Sequence, residues 1–346
     1  MRTTILALLG LLAAAPATAQ EVPPLTRIAF GSCADQERPQ PIWDAVLAYK
    51  PELFLFAGDN VYGDVGSPEL AELREAYARA GSIAGFERVR REVPHLATWD
   101  DHDYGRNDAG AEFAQKAPSQ ALFLDFWQVP ADDPRRGREG VHASASFGPE
   151  GQRVQVILLD TRFFRSPLRP TDQRGAPGKE RYLPDDDPAK AMLGEAQWAW
   201  LAEELKRPAQ LRLIVSSVQV LAEGHGWERW GNLPRERRRL FDLIDATDAE
   251  GVVFLSGDRH VGALYATGEG VPYRLTEITS SGINRFFARA GDLPGNRLGA
   301  VYGRENFGTL DIDWWSGTVT LAVRGMNGEK VREATLRLAD LHEAGG

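Results

Sequence analysis

Two segments of the chain combine residue types able to do metal chemistry. Leu53-Phe54-Leu55-Phe56-Ala57-Gly58-Asp59 is followed three residues later by Tyr62, and Val252-Val253-Phe254-Leu255-Ser256-Gly257-Asp258 two residues later by His260. Each is an apolar β-type run that ends in Gly-Asp. A buried strand delivering a carboxylate at its C-terminal end is how open α/β sheets place metals and catalytic groups. Two further runs end the same way: Thr26–Phe30 leads into Cys33, and His95–Trp99 into Asp100, Asp101, His102 and Asp103. Thiolate, carboxylate, phenolate and imidazole together suit a highly charged ion beside a second divalent one, and Asp59 has two oxygens with which to bridge them. Two ions about 3.5–4 Å apart clamp a phosphoryl group and activate a water for in-line attack. His102 would then protonate the leaving alkoxide or steady a phosphate oxygen. Singly, each piece has an ordinary reading: a Gly-Asp turn, a core histidine at His260, a small buried hydrophobe at Cys33, a solvated loop at 100–103. Jointly, on one sheet edge, they predict a metal-dependent hydrolase.

The elements that must position these groups alternate. Helical spacing runs over 41–49, with Ile42, Val46 and Tyr49 on one side. Ser67-Pro68-Glu69 reads as a helix start that continues past Tyr77. Further helices are expected over 113–127, 195–205 and 235–244, and further strands over 154–159, ending in Asp160-Thr161-Arg162, and 211–215, ending in Ser216-Ser217. Residues 166–190 are rich in proline and charge and read as a long surface excursion, and 222–234 as a loop carrying Trp227 and Trp230. Beyond 274 the pattern turns to strands without helices (274–279, 308–313, 318–324), so a mixed α/β architecture in one domain spanning 20–346 is expected.

The first nineteen residues read as a secretory signal. Arg2 starts it, Ile5–Ala15 is apolar, and Ala17-Thr18-Ala19 precedes Gln20 as a cleavage site. That run is too short for a confident membrane span, so an exported protein of the periplasm or extracellular space is expected. The formal charge is −9, from 49 acidic and 40 basic residues without a basic tract, which argues against nucleic acid as a stable partner. Cys33 is the only cysteine, so no intramolecular disulfide forms and stability must come from the core. A monomer acting on a small phosphoester is expected. Arg106, Arg162, Arg165 and Arg259 are candidates for holding phosphate oxygens, with an ion pair to Asp160 as the other reading of Arg162. Trp227 and Trp230 either flank an organic leaving group or pack their loop onto the core. A serine hydrolase is disfavoured, since the chain has no Gly-x-Ser-x-Gly elbow.

Five motifs together, Phe30-Gly31-Ser32-Cys33, Gly58-Asp59-Asn60-Val61-Tyr62, Trp99-Asp100-Asp101-His102-Asp103, Leu159-Asp160-Thr161-Arg162 and Ser256-Gly257-Asp258-Arg259-His260, make residues 26–285 resemble the alkaline phosphatase D (PhoD-like) family of the calcineurin-like metallophosphoesterase superfamily. The resemblance implies a four-layer αββα sandwich of two mixed sheets and phosphoester hydrolysis, by attack of a metal-bound hydroxide at a binuclear Fe(III)–Ca(II) centre. Zinc or manganese are left open in place of these ions. It assigns Cys33, Asp59, Tyr62 and His260 to iron, with Asp59 bridging, and Asp101, Asp258 and Asn107 to the calcium side, with His102 catalytic. Monoester and diester substrates both remain open, as does a phospholipase D-like phosphodiesterase. A secreted metal- or phosphate-binding protein without turnover is the alternative of a different class. Only a few residues separate the signal segment from Phe30, so the extra N-terminal domain of longer members is expected to be absent. No histidine follows the 211–215 strand where the superfamily places one; Ser216, Ser217 and Gln219 stand there, with His225 as a loop candidate.

Overall fold

The computed structural model describes residues 23–288 and 293–342. The signal segment expected over 1–19 lies outside the described residues. In chain order the strands are β1 (Arg27–Gly31), β2 (Leu53–Ala57), β3 (His95–Thr98), β4 (Ala143–Phe147), β5 (Val154–Leu158), β6 (Arg169–Pro170), β7 (Tyr182–Leu183), β8 (Leu211–Ser216), β9 (Val252–Ser256), β10 (Gly262–Thr267), β11 (Leu275–Ser280), β12 (Phe307–Asp313), β13 (Thr318–Arg324) and β14 (Lys330–Arg337). They form two six-stranded sheets, in the orders β14-β13-β12-β1-β2-β3 and β10-β11-β9-β8-β5-β4, and a small β6-β7 pair.

Apolar side chains lie on both faces of these sheets, and the alternation of the strands sorts them. Ile28, Phe30, Leu53 and Leu55 from the first sheet meet Val156, Leu158, Leu213, Val215, Val253 and Leu255 from the second in a core between the sheets. The intervening residues point outward. Phe54 and Phe56 pack on Trp43, Phe86 and Trp127, while Ile157, Ile214 and Phe254 belong to the cluster holding Trp198, Leu201, Leu240 and Ile244. Helices thus cover the outer face of each sheet, the αββα layering that the resemblance implies.

The pairing is mixed. β1, β2 and β3 run parallel, as do β5, β8, β9 and β11, while β12–β14 and the edges β4 and β10 are antiparallel. A parallel bridge between Ser32 and Ser281 ties the end of β1 to the end of β11. The carboxyl ends of the parallel strands therefore meet at one end of the sandwich, where ligands bind in open α/β sheets.

Several local expectations need correction. The helix assigned to start at Ser67 begins at Ala71, because Leu70 adopts a left-handed conformation (φ 57°), and a separate helix, Ala84–Glu92, follows Ala71–Ala80. Gly66 N and the Ser67 hydroxyl instead bond the Glu72 carboxylate. Asp101–Tyr104, read only as a polar cluster, is a short helix whose entry is closed by reciprocal bonds between Asp100 and Asp103. Strands β4, β10 and β14 were missed, being short, Gly- and Ala-containing or charged edge segments with weak alternation.

Candidate metal centre

The glycine of each Gly-Asp pair allows the two sheets to approach. Gly58 adopts φ +99°, and a Cβ there would stand 2.7 Å from the Asp100 Cβ and 3.0 Å from the Ser217 Cβ of the opposite sheet. A Cβ on Gly257 would stand 2.5 Å from the Ser32 hydroxyl and 3.1 Å from the Ala57 carbonyl oxygen of the opposite sheet. Each strand then turns sharply, and Cys33, Asp59, Asp258 and His260 all sit at positive φ (62°, 48°, 62° and 56°). Left-handed backbone is costly for residues with a Cβ, and it gathers at functional turns.

These turns bring the side chains together. Cys33, Asp59 and His260 each place a ligand atom within 4.8 Å of the others. The Tyr62 hydroxyl joins them, 3.3 Å from Asp59 Oδ2 and 3.2 Å from His260 Nε2, and the Cys33 thiol donates to Asp59 Oδ2 at 3.4 Å. The second oxygen, Asp59 Oδ1, faces the other way and accepts from the His102 backbone N–H at 3.3 Å. On that side Asp59, Asp101 and His102 converge, and so do Asp100, Asp101 and Asp258. Asp59 is therefore placed between two ligand sets, one with sulfur, phenol and imidazole, one of carboxylates.

The donor set fits the implied ions. A thiolate, a phenolate and an imidazole suit a ferric or similar transition ion, and a carboxylate cluster suits a hard ion such as calcium. Asp100 Oδ2 is buried without a hydrogen-bond partner among the described residues. Burial is the main force holding the acids of Cys33, Tyr62, Asp59 and Asp258 well above their ordinary range, reinforced by neighbouring anions: Asp59 for the thiol and the phenol, Asp101 for Asp59, Asp100 for Asp258. A bound cation would relieve that arrangement of anions. Burial also pushes His260 down to about 3, with Arg285 and Arg259 adding to it, which keeps its imidazole neutral as a ligand must be.

His102 stands apart electrostatically. Burial disfavours its cation, but Asp101, Asp59 and Asp64 outweigh that and push its pKa up to about 11. Its Nδ1 lies 2.7 Å from Asp64 Oδ2, and its ring lies over Tyr62 with centroids 4.3 Å apart. Asp101 is held below the usual carboxylate range: burial opposes its ionisation, while His102, Arg162 and the Asp108 N–H favour it. Asp103 is no ligand; it accepts from the backbone N–H groups of Asp59, Asn60 and Asp100 and from the Asn60 amide, fixing the two loops to each other.

Other expected residues fall elsewhere. Arg162 is fully buried, ion-paired to Asp100 at 2.6 Å and Glu228 at 2.8 Å. It is therefore a support of the acidic cluster and not a phosphate clamp, and its partner is not Asp160, whose Oδ1 accepts the Arg162 and Phe163 backbone N–H groups. Arg165 is likewise buried and paired with Glu228. Arg259 is buried over the Trp227 ring at 5.3 Å. Asn107 and Arg106 are exposed, and it is Asp108, next in the chain, that groups with Asp101 and Glu228. Trp230 is a packing residue, edge-on to Trp198 and donating to the Ser216 hydroxyl. His225 is buried with both ring nitrogens engaged, Nε2 by Gln219 and Nδ1 by the Trp227 N–H, so the loop candidate is structural.

Sequence reasoning missed Ser281, Glu228 and Asp64, and gave Asp100 no role of its own. The Ser281 hydroxyl accepts from the His260 N–H at 2.7 Å and lies 3.0 Å from Cys33 Sγ, touching two ligand candidates from one atom. Its signal was available: Ser280-Ser281-Gly282 ends a strand as Ser32-Cys33 does. Glu228 and Asp64 are loop acids without periodicity, and only the tertiary fold aims them.

The chain is similar to known proteins in sequence and fold. Alkaline phosphatase D of Bacillus subtilis (strain 168) is 24% identical over 71% of this chain and 47% of its own length, so the chain spans about half of that relative. A solved structure of PhoD superposes with a TM-score of 0.69 at 17% identity, covering 93% of this chain and 70% of its own. The purple acid phosphatase PPD1 from yellow lupin (Lupinus luteus) seeds superposes with a TM-score of 0.60 at 12% identity, over 91% of this chain and 54% of its own, a likeness of fold. The model of the PhoD-like phosphatase family matches residues 28–286, across both sheets and every ligand candidate, and the chain belongs to that family.

Proposed function

We propose that this chain is an exported, metal-dependent phosphoesterase, acting as a monomer in the periplasm or extracellular space on small phosphate monoesters, diesters or both. Cys33, Asp59, Tyr62 and His260 would hold a ferric ion, and Asp59, Asp101 and Asp258, with Asp100 beside them, a calcium ion. The observation that carries this reading is the pair of ligand sets sharing Asp59, whose Oδ2 faces Cys33 and Tyr62 while its Oδ1 faces the Asp101–His102 turn. The ions, when bound, supply Lewis-acid charge at the phosphoryl oxygens and an activated water.

The chain's own groups do the rest. Asp64 engages His102 Nδ1, and the Tyr62 ring backs the imidazole, which fixes its orientation and reserves Nε2 to hold a proton for the departing alkoxide. Asp103 ties the Asp59 loop to the Asp100 loop, and Arg162 offsets the charge of Asp100 behind the site. Arg285 lies 4.3 Å over Tyr62 and pairs with Asp35, presenting positive charge on the rim.

The test is metal analysis with a visible spectrum on mature protein exported by its own signal and purified without chelators, followed by monoester and diester assays. About one iron per chain with calcium and a phenolate charge-transfer band is expected. Cys33→Ser should lower iron content and activity together; unchanged values would remove Cys33 from the centre. Zinc or manganese at the same ligands would discard the ferric assignment, and a protein that takes up no metal would sink the mechanism.

A further inference from the structure

The proline-rich excursion over 166–190 is not idle surface. β6 and β7 pair, with Arg169 opposite Leu183 and Pro170 opposite Tyr182, and the loop they close carries Arg174 and ends at Arg181. This hairpin is tied to the loop after Asp101–Tyr104, because Arg181 and the Tyr182 hydroxyl both bond the Asp108 carboxylate. Between them lies an open cavity of about 530 Å³, lined among others by Arg106, Asp108, Glu112, Arg174, Arg181 and Tyr182.

Its charges are unevenly satisfied. Asp108 is taken by Arg181 and Tyr182, and Glu112 accepts from the Gly110 N–H at 3.0 Å. The Arg106 and Arg174 guanidiniums make neither an ion pair nor a hydrogen bond with any described residue. A lone solvated arginine would mean little; two on one cavity floor, in a chain with an acidic balance, leave an anion-shaped vacancy of charge.

The cavity also borders the metal centre. The Asp108 N–H donates to Asp101 Oδ2 at 2.7 Å, and Asp108 groups with Asp101 and Glu228. From Arg181 an aromatic wall continues inward. The guanidinium lies 5.1 Å over Trp227, Trp227 lies against Phe287 with ring centroids 6.0 Å apart, and Phe287 meets His260 edge-on at 4.7 Å. A phosphoester at the centre would thus have a flat organic surface beside it and free guanidiniums beyond.

We infer that this cavity is a second-phosphate subsite: Arg174 and Arg106 receive the non-scissile phosphate of substrates carrying two phosphate groups, with the organic spacer lying along Trp227 and Phe287. The inference rests on the phosphoesterase reading above and names its substrate class. Arg174 is the specificity-determining residue, since it is remote in sequence from every ligand candidate and its exposure lets it be replaced without disturbing the core.

The experiment compares hydrolysis of thymidine 3′,5′-bisphosphate and thymidine 5′-monophosphate by the wild type, Arg174→Ala and Arg174→Glu at low, fixed ionic strength. KM for the bisphosphate should rise about 5–10-fold in Arg174→Ala and further in Arg174→Glu, the scale of a lost charge-assisted contact, with the monophosphate changed less than about twofold. Equal responses of the two substrates, or none, would overturn the subsite. If the wild type hydrolyses neither, its monoesterase activity fails while a diesterase stays open to the diester assays above, and calorimetric binding of the same bisphosphate decides the subsite alone. Binding weakened by Arg174→Glu would retain it, and unchanged binding would refute it.

Discussion

Replacing Arg162 with methionine tests the structure more sharply than any change to a ligand. Its guanidinium is completely buried between Asp100 and Glu228, at 2.6 and 2.8 Å. Methionine keeps much of the apolar volume but removes the charge, leaving two buried carboxylates beside Asp101 and Asp258. Breaking a buried pair by deleting one partner costs about 3–5 kcal/mol. Here the carboxylates keep other partners, Ser217 at 2.5 Å and the Asp103 N–H for Asp100 and Arg165 at 2.9 Å for Glu228, so the lower end, about 3 kcal/mol, is expected. That is a large fraction of the stability of an ordinary domain. Urea unfolding followed by circular dichroism, at one fixed free-metal concentration, measures it. The double variant Arg162→Met/Glu228→Met removes one of the stranded charges and should recover about half of the loss or more. A loss below about 1 kcal/mol, the range of an exposed pair, would refute the buried network. A double variant as weak as the single would show that Arg165, left without its Glu228 ion pair, costs as much as the carboxylate removed. A rise in KM without loss of stability would return Arg162 to the substrate.

Three further outcomes are expected. Ser281→Ala removes the hydroxyl shared by Cys33 Sγ and the His260 N–H and should weaken metal affinity about 10-fold or more, read by competition with a chelator and by a shifted charge-transfer band, with Ser281→Thr restoring both; an unchanged band would deny it a positioning role. Asp64→Asn loosens the hold on His102 Nδ1 and should lower kcat about tenfold for alkyl phosphates, which leave poorly, but little for p-nitrophenyl phosphate; equal losses on both would argue against proton delivery by His102. Outside the ligand sets, burial, with Arg138 and Arg135 adding, depresses His142 to about 3. Its folded value lies below the unfolded value of about 6.5, so the stability it contributes is present above pH 6.5 and is lost as the pH falls from there toward 3, by at most about 1.4 kcal/mol per pH unit. His142→Leu should flatten that part of the pH–stability curve, and an unchanged slope would remove His142 as its source.

The layered fold was legible because its strands are short, apolar and regularly separated by amphipathic helices, so period and punctuation agree. Strands with weak alternation were not. Thr276 and Ile278 of β11 read clearly, whereas β4, with Ser144 and Ser146, and the charged β14 gain their pairing only from neighbours. The helix misplaced at Ser67 shows the limit of a local signal: Ser-Pro-Glu is a fair start, but Leu70 turns left-handed and Glu72 takes up the groups a cap would have used.

The ligand candidates themselves were determined by the sequence, because each follows an apolar run and the chemistry of thiol, phenol, imidazole and carboxylate is carried by residue identity. Their grouping, too, was implied by strand ends meeting at one edge. What only the tertiary structure decided is which charges stand next to them. Arg162 turns inward to Asp100 and Glu228, Asp108 rather than Asn107 points at Asp101, and Ser281 arrives from the far sheet through its bridge to Ser32. Apart from Asp108, seven positions from Asp101, these contacts join residues separated by tens to hundreds of positions, Ser281 lying 248 residues from Cys33. Side-chain periodicity holds information about the face a residue takes, but the neighbour it meets there is set by sheet order, register and the close approach that Gly58 and Gly257 permit.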